Sequence, residues 1–117
     1  MQNYLILLHQ DEGQRAGFPH DRMMAMIKEY GDWSAKLRAD GRLVSGEKLA
    51  NDTGKILRDK NGKVTVTDGP YAESKEIVGG IFIIAAKDYD EACTIARGCP
   101  HLKYYGRVEV REIEKMR

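Results

Sequence analysis

Apolar residues recur along this chain at two spacings. Tyr4 to His9 and Ile77 to Ala86 are short apolar runs with little polar interruption, as expected of strands covered on both faces. Between His20 and Asp40, Met23, Met26, Ile27, Tyr30, Trp33, Ala35 and Leu37 fall at helical spacing. Pro19 suits the start of that helix, Gly31 weakens it slightly, and Gly41 ends it as a left-handed cap. Arg42 to Leu49 reads as a second strand, with Gly46 as its candidate bulge. Lys55 to Arg58 and Val64 to Thr67 form a hairpin over Asp59-Lys60-Asn61-Gly62, where Asn-Gly supplies the positive φ angles of a tight turn. Asp68 to Glu76 reads as a loop. Asp88 to Gly98 reads as a helix with Asp88 as N-cap and Glu91 completing a capping-box variant. Pro100 follows its Gly98 stop, and Arg107 to Ile113 is the last strand.

The order is β-α-β, an inserted hairpin, then β-α-β. Two such split halves predict a ferredoxin-like α+β fold: an antiparallel four-stranded sheet with two helices on one face. That plan centres the two fully apolar strands. The last strand alternates, Val108 and Val110 against Glu109 and Arg111, as a half-buried strand does. Two helices cover one face only. The expected cover for the other is a second copy, which makes the chain a homodimer.

The 117 residues suit one domain, spanning 1–117. Nineteen basic residues against 18 acidic ones give a net charge of +1, without the basic excess of a dedicated nucleic-acid binder, so no direct nucleic-acid partner is expected. The longest apolar run, Ile81 to Ala86, is too short to span a bilayer, and polar residues from His9 to Arg15 interrupt any signal-peptide core. The expectation is a cytoplasmic protein without a membrane partner. Cys93 and Cys99 match no zinc spacing and read as two reduced thiols, one or both in the core. His9, His20 and His101 are too scattered to suggest a metal site. No phosphate loop, dinucleotide fingerprint or nucleophile elbow is present, so no cofactor is expected.

The most distinctive segment is Asp68-Gly69-Pro70-Tyr71-Ala72-Glu73-Ser74-Lys75-Glu76, followed by Gly79-Gly80. Asp-Gly-Pro makes a sharp turn. The glycine pair opens a strand of bulky residues, which suits close approach to the backbone by a ligand, the packed loop or a partner subunit. The segment resembles the Asp-Gly-Pro-Phe-Ala-Glu-Thr-Lys-Glu signature of the DGPF family, with Tyr71 for Phe and Ser74 for Thr. The similarity extends to Ala39 through Glu47, Gly79-Gly80, Asp88 to Glu91, Cys99-Pro100 and Val108 to Arg111, so it covers almost the whole chain.

The resemblance implies membership of the YCII-related superfamily, hence a ferredoxin-like fold paired as a dimeric α+β barrel. It implies no single activity. Some DGPF proteins are linked to sigma factors, and YCII relatives include lactone-processing enzymes with a proposed His–Asp pair. Alignment on Gly41 and Pro100 puts Tyr30 near that histidine position and Cys99 at that aspartate.

Two function classes follow, and whether the chain is an enzyme stays open between them. One is small-molecule binding with acid–base chemistry in a cavity near the sheet and dimer interface. The other is a non-catalytic ligand-binding or regulatory module of a transcription system. For the first, His101 is the acid–base candidate, with Asp68 and Glu109 as orienting carboxylates. Glu73, Lys75, Arg111, Tyr71, Gly79 and Gly80 are the ligand-binding candidates, Lys75 or Arg111 supplying positive charge for an anionic ligand. Tyr104-Tyr105 reads as either a cavity wall or a dimer contact, and the Tyr30–Trp33 stripe as core packing.

Overall fold

The computed structural model describes residues 1–11, 17–69 and 76–116. In chain order the elements are β1 (Gln2–Asp11), α1 (His20–Ala39), β2 (Leu43–Lys48), β3 (Lys55–Lys60), β4 (Lys63–Asp68), β5 (Glu76–Ala86), α2 (Tyr89–Ala96), α3 (His101–Tyr105) and β6 (Arg107–Glu112). β2, β5, β1 and β6 make one antiparallel sheet in that spatial order, and β3 pairs with β4 in a separate two-stranded sheet. The architecture is the ferredoxin-like α+β plan, with the two apolar strands in the centre. Its departure from expectation is α3, a five-residue helix where a plain turn was expected.

Period-two alternation assigns the faces. On β1, Tyr4, Ile6, Leu8 and Gln10 are buried against the helix layer, while Leu5, Leu7 and His9 point the other way and are half-buried. Directly paired residues share a face, so Ile81 and Ile83 join Leu5 and Leu7 on the open side, with Glu109 and Arg111 beside them. The core lies on the helix side, where Tyr4, Ile6, Leu8, Leu37, Ile84, Ala86, Ala92, Ala96 and Cys99 pack together.

Local chemistry fixes the ends of the helices. Gly41, at φ 72°, closes α1 while Arg42 N–H bonds back to the Leu37 carbonyl at 2.9 Å. The Asp88 carboxylate accepts from Glu91 N–H at 2.9 Å, and Glu91 reaches back to Lys87 N–H at 3.1 Å. Asn61 and Gly62 take positive φ and make the β3–β4 turn two residues long, so both strands extend beyond the expected four.

The glycines of the sheet answer to packing. The β2 irregularity falls between Leu43 and Ser45, so Gly46 is not the bulge. A Cβ at Gly46 would sit 2.8 Å from the Phe82 ring, and Phe82 in turn meets Trp33 edge-on at 5.0 Å. Register shifts between Leu8 and His9, opposite Gly80 and Val78, which leaves Gly79 as the extra residue of β5. The Gln10 side chain occupies the space beside Gly79. Glu47's carbonyl would lie 3.0 Å from a Cβ at Gly80, and Leu8's Cδ1 3.3 Å. The close approach expected at this pair is made by the chain's own neighbours.

Alanine at two glycines should therefore act in opposite directions. Gly80→Ala pushes on backbone and should cost about 1–3 kcal/mol. Gly31→Ala, in an α1 site with nothing within 4 Å, should stabilise by about 0.4–1 kcal/mol. Urea unfolding of both variants checks the pair; equal effects would mean that β2 does not hold Gly80 so closely.

Candidate active site

A cavity of about 430 Å³ opens between α1, α3 and the helix-side face of β1, β2 and β5. Leu8, Met26, Ile27, Leu43 and Phe82 make its apolar lining, and Tyr30, Ser34, Gln10 and His101 add polar groups. Arg38 and Lys48 bring positive charge to it. A mainly apolar hollow with a few converging polar atoms is the usual form of a small-molecule site.

His101 is the most constrained of these residues. It opens α3 and is 1% exposed. Its Nε2 lies 2.6 Å from the His9 carbonyl oxygen and its Nδ1 2.5 Å from the Tyr30 hydroxyl. A carbonyl only accepts, so Nε2 carries the proton. In the neutral ring Nδ1 is then bare and accepts from Tyr30. The backbone of β1 thus sets the tautomer and points a basic nitrogen at a phenol on the cavity wall. Tyr105 stacks on the imidazole at 4.6 Å between centroids, which makes it the cavity-wall member of the tyrosine pair. Tyr104 is buried beside α1, where its hydroxyl donates to Glu29.

Burial pushes the His101 imidazole below its ordinary range; the bond to the His9 carbonyl opposes the shift and the charge of Lys48 adds to it. Burial also pushes the Cys99 thiol up to about 11, so it stays protonated near neutral pH and is no thiolate nucleophile. Cys93 is exposed, and neither cysteine is in a disulfide.

The expected carboxylates lie elsewhere. Glu109 is on the open face, where its Oε1 sits 2.8 Å from His9 Nε2; Glu76 lies 3.2 Å from His9 Nδ1 and also pairs with Arg107. Asp68 pairs with Lys55 at the root of the hairpin. Within one subunit the sheet separates Glu109 from His101, and neither carboxylate lines the cavity that His101 lines. The expectation placed the hollow on the open face of the sheet; the cavity of the single chain lies under the helices. Arg111 is on the open face, 4.0 Å from Glu109. Gly79 and Gly80 do line the cavity. Tyr71, Glu73, Lys75 and the expected fold-back of their loop lie outside the described residues.

Sequence reasoning did not pair Tyr30 with His101, because Tyr30 falls in the helical stripe of Met23, Met26 and Trp33 and reads as core. Its alignment beside the family's histidine position was the available signal. Among the described residues no group of three or more His, Cys, Asp or Glu side chains could hold a metal ion, and no helix is long and apolar enough to cross a membrane.

Fold and cavity together define an α+β domain with a small-molecule-sized pocket beside a Tyr–His pair. The chain belongs to the YCII-related family, whose domain model matches residues 2–117. It is 28% identical over 95 residues to "Uncharacterized protein R00369" of Rhizobium meliloti (strain 1021), covering 80% of this chain and 77% of that protein. A solved structure, 5-chloro-2-hydroxyhydroquinone dehydrochlorinase (TftG) from Burkholderia phenoliruptrix AC1100 in complex with 2,5-dihydroxybenzoquinone, aligns with a TM-score of 0.49 at 14% identity, over 96% of this chain and 93% of that one.

The tautomer and the lowered basicity of His101 are measurable. Nitrogen-15 spectra near neutral pH should show Nε2 protonated and Nδ1 bare, with a titration midpoint below 6.5. The sign for stability follows: an imidazole harder to protonate in the fold contributes fully above pH 6.5, and the contribution is lost as pH falls from there through the folded value. His101→Gln should flatten that part of the urea-stability profile, and an unchanged profile would count against a buried neutral ring.

Proposed function

We propose that this protein binds a small, largely apolar organic molecule in the cavity beneath α1 and exchanges a proton with it through Tyr30 and His101. The hydrogen-bonded chain from Tyr30 to His101 to the His9 carbonyl carries this reading. In it the Tyr30 oxygen takes a proton from the bound molecule while its own proton passes to Nδ1. The resulting imidazolium is held by the His9 carbonyl, and the return of both protons resets the pair. The apolar walls keep water from competing. Arg38 and Lys48 suit a negatively charged group on the ligand, the role given from sequence to Lys75 or Arg111.

The competing reading is a ligand-binding regulatory module, in which the same Tyr–His bond only stiffens the pocket. The pair of variants Tyr30→Phe and His101→Gln separates the two. A thermal-shift screen of small organic acids should first yield a binder, scored by Trp33 fluorescence, since Trp33 packs on the cavity residue Phe82. Tyr30→Phe should then bind within severalfold of wild type and turn the molecule over about 10²–10⁴-fold more slowly. Unaltered turnover would end the acid–base reading. A binder that wild type leaves chemically unchanged would favour the regulatory one.

The working unit in this reading is a cytoplasmic homodimer. The open sheet face, with Leu5, Leu7, Ile81 and Ile83 half-buried and, among the described residues, no helix over them, supports the pairing. The two free thiols support a reducing compartment. The Asp68-to-Glu76 sequence supports placement among the DGPF members of the family. Light scattering at micromolar concentration should return about twice the 13.2 kDa chain mass, and a clean monomer would leave the open face unexplained.

A further inference from the structure

Gln10, Ser34 and Arg38 line the cavity without a side-chain hydrogen bond or ion pair among the described residues. Gln10 is the telling one, because it is only 8% exposed. Its carboxamide fills the place that a Cβ at Gly79 would take. Among the described residues no polar side-chain atom is sealed from solvent without a partner, so this amide opens onto the cavity space. A carboxamide that is buried and left unpaired is costly, and its natural complement is a group inside the cavity.

The cavity has two ends. α1 passes through the Gly41 turn straight into β2, so the two run in opposite directions and Arg38 stands at the Leu43 end. Lys48, at the other end of β2, pairs with Gly80, and its charge reaches the His101 ring. Gln10 belongs to that second end, since its own backbone nitrogen is bonded to the His9 carbonyl carbon whose oxygen accepts from His101. Tyr30, Ser34 and Arg38 follow one another at four-residue steps along one face of α1. About 12 Å of helix separates the backbones of Tyr30 and Arg38.

Charge distinguishes the ends as well. The Lys48 ammonium donates to the Leu49 carbonyl and, at 3.0 Å, to Asn51 Oδ1. Arg42, Arg107 and Arg111 lie beside Glu91, Glu76 and Glu109. Arg38 has no carboxylate beside it among the described residues, and it is exposed at the cavity rim. A guanidinium fits a carboxylate through two parallel N–H bonds, and one unpaired cation suits one negative charge.

We infer that the cavity takes an apolar-bodied organic acid, with its carboxylate on Arg38 and a hydroxyl or carbonyl oxygen on Gln10 beside the Tyr30–His101 pair. The inference rests on the small-molecule reading above and names the class of ligand for that site. Side chains lean toward the N-terminus of their helix, which brings the Arg38 head back toward Tyr30, so the two polar ends of the ligand are roughly 8–10 Å apart.

Octanoate, 8-hydroxyoctanoate and 1,8-octanediol share one chain length and differ only at their ends. Titration followed by Trp33 fluorescence reads their binding. Wild type should prefer 8-hydroxyoctanoate to octanoate by about 3–10-fold, and to the diol by about tenfold or more. Gln10→Met, close in shape but without the amide, should abolish the first preference and keep the second. Arg38→Gln should do the reverse, and Lys48→Gln should keep both. Preferences missing from wild type, or unmoved by these substitutions, overturn the inference, as does a failure of all three probes to bind at millimolar concentration. Should Gln10→Met not fold, the wild-type preference for the hydroxyl decides. Both preferences without turnover of any ligand would remove the proton-transfer reading and leave the two-ended site. Tyr30-dependent turnover without either preference would remove the two-ended site alone.

Discussion

β1 lies between β5 and β6 with every second side chain pressed beneath the helices, and that alternation governs what the rest of the molecule can do. Tyr4, Ile6 and Leu8 commit one face to the core. The register with β5 and β6 then commits Ile84, Val108 and Val110 to the same side and leaves Leu5, Leu7, Ile81, Ile83, Glu109 and Arg111 on the other. A one-residue slip would exchange the two sets, so the helices, the core and the cavity all follow from one pairing.

The alternation meets a disturbance at Leu8 and His9, and the site is built there. With Gly79 as the extra residue, the β5 backbone leaves room for Gln10 and the cavity floor. His9 then serves both faces at once. Its ring lies among Glu76 and Glu109 on the open side, while its carbonyl accepts from His101 on the helix side. A carbonyl used in this way anchors the buried imidazole without a carboxylate. A neutral partner leaves the ring neutral in a dry setting, whereas a buried aspartate would draw it toward the charged form.

Features set by near neighbours in sequence were legible. The Gly41 cap, the Asp88–Glu91 box, the Asn61-Gly62 turn and the strand alternations each depend on a few adjacent side chains, and each appears where it was read. Also legible was the open face with Glu109 and Arg111 on it. What escaped depends on distant backbone. Nothing in Pro100-His101-Leu102 announces a helix of one turn, and no pattern tells that His101 will find the carbonyl of a residue 92 positions earlier. The choice of Asp68 and Glu109 as its partners followed the habit of pairing histidine with carboxylate. The fold spends those carboxylates on Lys55 and His9.

In the proposed reading the two faces divide the work between pairing and chemistry. A second copy on the open face would leave the cavity untouched, because the sheet and the side chains of β1 stand between them. His9 connects the two sides through β1. A partner that repositions Glu109 or Glu76 acts on the His9 ring, and that ring is continuous with the peptide whose carbonyl holds His101 Nε2. The peptide sits at a register shift, where the ladder is interrupted. A tilt there would change the Nε2–carbonyl bond, and with it the pull of Nδ1 on the Tyr30 hydroxyl. If the proposed dimer forms on the open face, pairing and proton affinity would be coupled through His9.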